Sequence, residues 1–347
     1  MYSITMTEHQ KIASVELGRV IAIIAVIAIH SQLMTGYPLL NNEPWLGNII
    51  NQLSRFAVPF FFITSGYFLQ PKLEKTPLET GWRYCKPLIF MWVIWSFIYL
   101  IAPFNLHTLS QDGWLAERSG YWSYLAQAPL NSFLEGGMVH LWFLPSLIMA
   151  VGIIAVLVHL KRAAWLLPLS VSLYLYGVLA GSYQPLTDLQ PLFFTRNGPF
   201  FSLLMVSAGF LIRQHRLRLS SLQATMIMLI GFIGHFSEAF ALTQFDIDFR
   251  IHDFLFSTSL WAVGLFLLLL ANPSWGNHPW IYAIANMTLG IYLLHLLLII
   301  YMSNLAAVLK TQSLARDGLV FFGALISSVI LTFVISRSPS INKLFFK

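Results

Sequence analysis

Arg19 and His30 bracket ten apolar residues, VIAIIAVIAI, in a chain where few other polar groups interrupt such runs. A guanidinium can hold an anion or a developing negative charge, and an imidazole can move a proton near neutral pH. At about 100° per residue, eleven helical steps end roughly 20° past three full turns, so the two side chains share one face about 16 Å apart. Glu16 stands three residues before Arg19 on the same side. A central Arg costs an inserting helix about 2.5–3.5 kcal/mol, while each Leu or Ile returns only about 0.3–0.6. This helix therefore needs partners. The spacing predicts a polar stripe from one membrane surface to beyond the bilayer middle. A surface Glu16–Arg19 pair plus one satisfied core histidine is the plainer alternative, but ionisable groups inside a membrane are by default functional.

Other apolar stretches carry similar exceptions. NQLSRFAVPFFFITSGYFLQP places Arg55 about a third of the way along, then Pro59, then Ser65-Gly66-Tyr67. EGGMVHLWFLPSL puts His140 and Trp142 at the outer start of a span, and FTRNGPFF puts Arg196 and Asn197 before another, where free backbone N–H groups can hold an anion. TLGIYLLHLLLI holds His295 deep in a span. Close helix packing would also account for Ser65-Gly66. A structural polar pair would account for His235 and Glu238, and a capped histidine for His295.

The elements that must position these residues are membrane helices. The 347 residues are 57% hydrophobic and 10% charged, with mean hydropathy +0.70, whereas soluble domains carry about 25% charged residues. Solid runs such as FFFITSGYFL and LFLLLL exclude an alternating outer-membrane barrel. The expectation is an all-α polytopic membrane protein, one transmembrane domain over 1–347. Its spans fall near 15–37, 46–69, 86–104, 138–159, 163–181, 198–213, 221–241, 255–271, 279–302 and 318–336. A cytoplasmic N-terminus places thirteen Lys and Arg in inside segments and five outside, so both termini are expected in the cytoplasm of a bacterial inner membrane. The net charge of +6 thus belongs to membrane loops, and no nucleic-acid partner is implied. The long outer segment, 105–137, carries Trp114, Tyr121, Trp122 and Tyr124 as an interfacial belt or a sugar-stacking lid. One cysteine, Cys85, rules out a disulfide framework or a cysteine zinc cluster within the chain. No cleavable signal peptide is expected.

Soluble-enzyme motifs are missing: no P-loop, GxGxxG, GxSxG or HExxH occurs. FDIDFRIHD contains a DxD, but on the expected outer side, away from nucleotide sugars; no metal site is expected.

Together these segments resemble the integral-membrane acyltransferase-3 family of bacteria. The likeness spans essentially the whole chain: Arg-x10-His at Arg19 and His30, with Glu16 where Asp is more usual; SRFAVPFFFITSGYF; HLWFLPSLI; and GIYLLH. The family has ten core spans and moves acyl groups, usually acetyl from acetyl-CoA, onto hydroxyls of surface glycans. Members that acetylate lipid-linked sugars, as in enterobacterial common antigen, are similar in length. The resemblance implies His30, Arg19 and Arg55 as catalytic residues. It implies donor contacts at Glu16, Arg19, Ser65, Gly66, Tyr67, Lys72, Arg83 and Lys86. His140, Trp142, Arg196, Asn197 and His295 then face the acceptor. No permanently bound cofactor is expected; acetyl-CoA is a substrate. The partners are the glycan or lipid-linked saccharide and membrane lipid, with pairing of two copies left open.

In this reading the donor enters from the cytoplasm, its phosphates meet Arg19 and the Lys72–Lys86 loop, and its thioester reaches toward His30, a general base for the acceptor hydroxyl. Arg55 or backbone N–H groups stabilise the oxyanion. An acyl-histidine relay is a variant. The competing expectation is a flippase or proton-coupled exporter using the same intramembrane charges.

Overall fold

Hydrophobic runs with no water to satisfy their backbone must close their hydrogen bonds internally, and here they do so as helices. The computed structural model describes residues 11–36 and 43–346. The chain's first ten residues and Lys347, the expected cytoplasmic ends, lie outside the described residues, as does the expected end of the first span at 37. Among the described residues the chain is all-α with no β-ladder.

Each expected span is helical, with breaks where the sequence explains them. The first, α1 (Ala13–His30), stops at His30 rather than near 37 and continues as a turn. The second is split into α2 (Trp45–Leu53) and α3 (Ala57–Leu73) by a tight turn at Ser54–Phe56. Pro59 falls in the first turn of α3, where a missing N–H costs nothing. After α4 (Pro77–Ile101), the outer segment is itself helical: α5 (Leu106–Ala126), kinked at Gly113 with φ +85°, and α6 (Pro129–Leu134). A short turn, Val139–Trp142, leads into α7 (Phe143–His159). There follow α8 (Leu166–Leu179), the short α9 (Gln184–Thr187), α10 (Pro199–Gln214) and α11 (Ser221–Leu242). A capping box, Ser220 with Gln223, starts α11. The remainder is α12 (Thr258–Ala271), α13 (Pro279–Ala285), α14 (Thr288–Val308), α15 (Ser313–Ser336) and α16 (Pro339–Phe346). Among the described residues, six helical stretches are long and apolar enough to cross a membrane, and three shorter apolar ones accompany them.

The helix with the most unusual composition is central. α1 packs against α3, α12, α13 and α14, whereas α11 and α15 turn residues such as Ile230, Ile233, Phe322 and Ile326 outward. Two glycines set the tightest crossing. A Cβ on Gly66 of α3 would run into the Val206 carbonyl of α10, and one on Gly209 would run into the Ile63 carbonyl, so both helices approach backbone to backbone.

Candidate functional site

Three histidines far apart in the chain meet at the C-terminal end of α1. The His30 ring lies 5.2 Å from that of His295 and 6.3 Å from that of His140, and His140 lies 5.0 Å from His295, centroid to centroid. His140 was expected near the outer surface. It is instead 1% exposed, because the Val139–Trp142 turn folds inward and the Tyr292 hydroxyl holds its carbonyl. Tyr99 closes another side, its ring 5.1 Å from His140 and its hydroxyl donating to the Leu293 carbonyl at 2.8 Å.

The hydrogen bonds assign roles within the cluster. His295 is fully buried, and its Nδ1 lies 2.6 Å from the Tyr292 carbonyl, an atom that only accepts, so the proton sits on Nδ1. That leaves Nε2 with a lone pair, buried and without a hydrogen-bond partner. The ring of His140 is likewise buried and has no side-chain hydrogen-bond partner, its polar neighbour being the Leu293 backbone. His30 is half-buried and makes no hydrogen bond among the described residues. Buried polar groups are normally satisfied, and exceptions concentrate where chemistry is done. A proton acceptor with a fixed tautomer beside a more accessible imidazole is an arrangement suited to taking a proton from a hydroxyl.

Arg19 sits at the other end of α1. Its Nη1 donates to Glu16 at 2.9 Å and its Nη2 to the Thr288 hydroxyl at 2.9 Å, which ties α1 to the first residue of α14. Between Arg19 and His30 the same face carries Ala22, Ile23 and Val26, all buried. The stripe is therefore two polar ends joined by apolar packing, not a continuous polar path along α1. The structure disperses the other expected donor contacts. Ser65 bonds back to the Phe61 carbonyl and meets Tyr84 of α4. Gly66 is taken up by the α10 crossing. Tyr67 faces α10 and α12 through Arg213 and Phe266. Arg83 pairs with Glu79 on the exposed side of α4, and Lys72 and Lys86 are exposed.

Beyond the histidines a charged network ties the outer ends together. Arg55 donates to Asp253 at 2.9 Å, to Asn51 at 3.0 Å and to the Arg250 carbonyl at 2.8 Å. Arg196 bridges Asp253 and Glu135 at 2.6 and 2.9 Å, and Asn197 joins at Glu135 and Asn131. Arg55 thus holds the 246–257 loop through its two terminal nitrogens, while its Nε is buried without a partner and its charge, like that of Arg196, lies within electrostatic reach of His30. Trp142 packs in the core between Phe62 and Phe201. The DxD aspartates are not gathered for a metal: Asp248 pairs with Arg250, and the backbone at Asp246 turns through a left-handed conformation. His235 is a structural link, its ring between Gln52 and the Thr258 hydroxyl, while Glu238 accepts from Tyr183 and the backbone N–H groups of Phe256 and Ser257.

A family model described as an acyltransferase domain matches residues 12–337. The chain belongs to the integral-membrane acyltransferase-3 family. It is 28% identical over 302 residues to the serine/alanine racemase of Enterococcus gallinarum, covering 80% of this chain and 39% of that protein. It is 26% identical over 341 residues to an amino-acid racemase of Enterococcus faecalis, covering 93% of this chain and 45% of that one. The chain thus spans less than half the length of these curated relatives. No solved structure matches it.

Membership makes this an acyltransferase-3 domain, and its interior gathers three imidazoles at the end of α1. Sequence reasoning missed Tyr292, Tyr99, Asp253 and Glu135. Tyr292 had a signal: it lies three residues before His295, on the same helical face. Asp253 had none, because nothing local to FRIHDF says that its carboxylate meets guanidinia from α10's approach and the second span.

Proposed function

We propose that this acyltransferase-3 protein moves an acetyl or similarly small acyl group from cytoplasmic acyl-CoA to a hydroxyl of a cell-surface polysaccharide or lipid-linked sugar. In this reading it is a multi-pass protein of the bacterial inner membrane with both termini in the cytoplasm. Members acting on lipid-linked sugars, as in enterobacterial common antigen, are the type it resembles in length. The observation that supports the reading is the meeting of His30, His140 and His295 at the end of α1 opposite to Arg19, with His295 Nε2 buried and holding a lone pair.

The step follows from the chemistry. His30, the most accessible of the three imidazoles, takes the proton of the acceptor hydroxyl as that oxygen attacks the thioester carbonyl. The carbon–sulfur bond breaks, and the CoA thiolate leaves and takes up a proton. His295 supports His30 through its fixed tautomer, and Arg19 with Glu16 and Ser65 meets the donor near the cytoplasmic end. Arg196 and Asn197 shape the acceptor side through the Asp253–Glu135 network. Burial strengthens each of these electrostatic contacts.

Membrane vesicles given radiolabelled acetyl-CoA on the cytoplasmic face test this. Alkali-labile label in the glycan fraction of wild type, lost in His30→Ala at equal expression, is the expected result. Label absent from both with acceptor present favours the exporter. Equal label in both removes His30 from the mechanism.

The printed names of the relatives motivate a second reading, in which an amino acid is the acceptor. Labelled serine and alanine supplied to the same vesicles distinguish it: acylated amino acid without labelled glycan is its signature.

A further inference from the structure

On the other side of α3 from Ser65, the bundle holds a feature that the acyl-transfer reading does not use. Ser65 and Tyr67 are about 200° apart round the helix, and they face different neighbours: Ser65 meets Tyr84 of α4, Tyr67 meets Arg213 of α10 and Phe266 of α12. Tyr67 lines a cavity of about 1270 Å3 between the N-terminal edge of α1 and the C-terminal ends of α3, α10 and α12. Above it the wall is closed, since Gly18 of α1 abuts Phe60 and Leu269 and the Gly66–Gly209 crossing seals α3 on α10. The cavity lies at the ends of α3, α10 and α12 on the side expected to be cytoplasmic, and Arg19 and Thr288 are not among its lining residues.

Its charge is one-sided. Arg213, Arg216 and Arg218 all line it. Among the described residues none of the three has a carboxylate partner: Arg213 donates to the Tyr67 hydroxyl at 3.2 Å and lies 5.1 Å from that ring, and Arg216 and Arg218 make no ion pair. The acidic residue at the rim, Glu74, already accepts from Gln70 at 2.8 Å and Gln214 at 3.3 Å. Lys75, Gln70 and Gln214 also line the cavity, and its apolar part is formed by Ile212, Leu267, Leu270 and Ala271. Planar guanidinia match phosphate oxygens two N–H groups at a time, and basic pockets between membrane helices on the cytoplasmic side suit phosphorylated headgroups.

We infer that this cavity is a phosphate-binding site, separate from the histidine cluster, whose ligand carries a phosphate toward Arg213, Arg216 and Arg218 and an apolar part toward α12. Arg213, held by Tyr67, is the fixed contact; Arg216 and Arg218, on the short connection to α11, close over the ligand. The phosphate belongs either to a membrane lipid headgroup or to a water-soluble compound, and the experiment separates these.

The full chain is reconstituted in phosphatidylcholine nanodiscs, and binding of radiolabelled inorganic pyrophosphate is measured. In parallel, nanodiscs containing cardiolipin are analysed by native mass spectrometry for lipid retained on the protein. The Arg216→Gln/Arg218→Gln double variant is expected to weaken pyrophosphate binding about tenfold or more or to lose the retained cardiolipin. The arm that responds names the source of the phosphate. Both residues are exposed and make no ion pair among the described residues, and an unchanged thermal midpoint confirms that the variant folds. Arg162→Gln, which removes an exposed charge from the turn between α7 and α8, serves as the control. Binding of neither probe by wild type, binding retained by the double variant, or an equal loss in Arg162→Gln overturns the assignment.

Discussion

The imidazoles of His30 and His295 stand 5.2 Å apart, one closing α1 and the other in the middle of α14. The half-buried ring has no hydrogen bond, while its neighbour is locked in one tautomer by the Tyr292 carbonyl. His30→Ala is expected to lower kcat by about 10²–10⁴. His295→Phe, which keeps ring volume but removes the lone pair, is expected to lower it by about 10² with little change in donor KM. Steady-state kinetics on both variants, at matched thermal midpoints, check this.

Arg19 is tied to Glu16 and Thr288 at the opposite end of the same helix. If it meets the donor and not the reacting carbonyl, Arg19→Lys raises KM for acyl-CoA about tenfold and leaves kcat within about threefold. A fall in kcat at unchanged KM would place it at the reacting atoms instead.

Gly66 and Gly209 leave no room for a side chain at the α3–α10 crossing. Gly209→Ala is expected to destabilise the protein by about 1–3 kcal/mol, the usual cost of overpacking. Gly318→Ala, where a Cβ would meet nothing within 4 Å, is expected to be neutral or slightly stabilising. Thermal unfolding in detergent compares the two.

Asp253 joins Arg55 to Arg196, and its side chain is 31% exposed. Asp253→Asn leaves two guanidinia with one negative partner, Glu135, between them. The expected loss is about 2–3 kcal/mol, reduced from the fully buried case by the partial exposure. Proteolysis of the 246–257 loop should accelerate alongside the fall in thermal midpoint.

His252, in that loop, is buried with both ring nitrogens unpartnered. Burial first, then the nearby Arg55 charge, push its pKa from 6.5 down to about 4. A folded-state pKa below the unfolded one means the unfolded chain binds the extra proton in that window. Stability is then complete above about pH 6.5 and falls as pH drops toward 4, by on the order of 3 kcal/mol at most. For Asp253, burial raises the pKa but Arg196 and Arg55 outweigh it and hold the carboxyl below its ordinary value, so its loss begins only at lower pH. His252→Phe should flatten the stability profile between pH 4 and 6.5 and leave the acid limb below it.

What the sequence made legible follows from period and polarity. Long apolar runs have one way to satisfy their backbone in lipid, so the helices were readable, and so was the shared face of Arg19 and His30. The breaks were less so: the end of α1 at His30 and the helical outer segment depend on tertiary contacts. For the site, the residue types were readable but their assembly was not. His140 looked superficial because its position along the chain precedes a span; only the inward turn held by Tyr292 brings it to His30. The partners of Arg55 were not readable, because Asp253 and the Arg250 carbonyl lie nearly two hundred residues away. The cationic end of α10 registered as topology alone, since nothing in RQHRLR shows that three of its side chains would border one cavity.

The outer helix α5 is fastened to the end of α4 at several points. The Trp114 and Trp122 ring N–H groups donate to the Ile101 and Leu100 carbonyls. Arg118, fully buried, lies over the Phe104 ring at 4.2 Å and grips Glu117, which in turn accepts from the Phe104 and Asn105 N–H groups. A segment riveted in this way does not swing, so it is masonry and not a door. If the acceptor is a bulky glycan, as proposed, its passage to the interior is hinged elsewhere, and α5 supplies a fixed frame on this side.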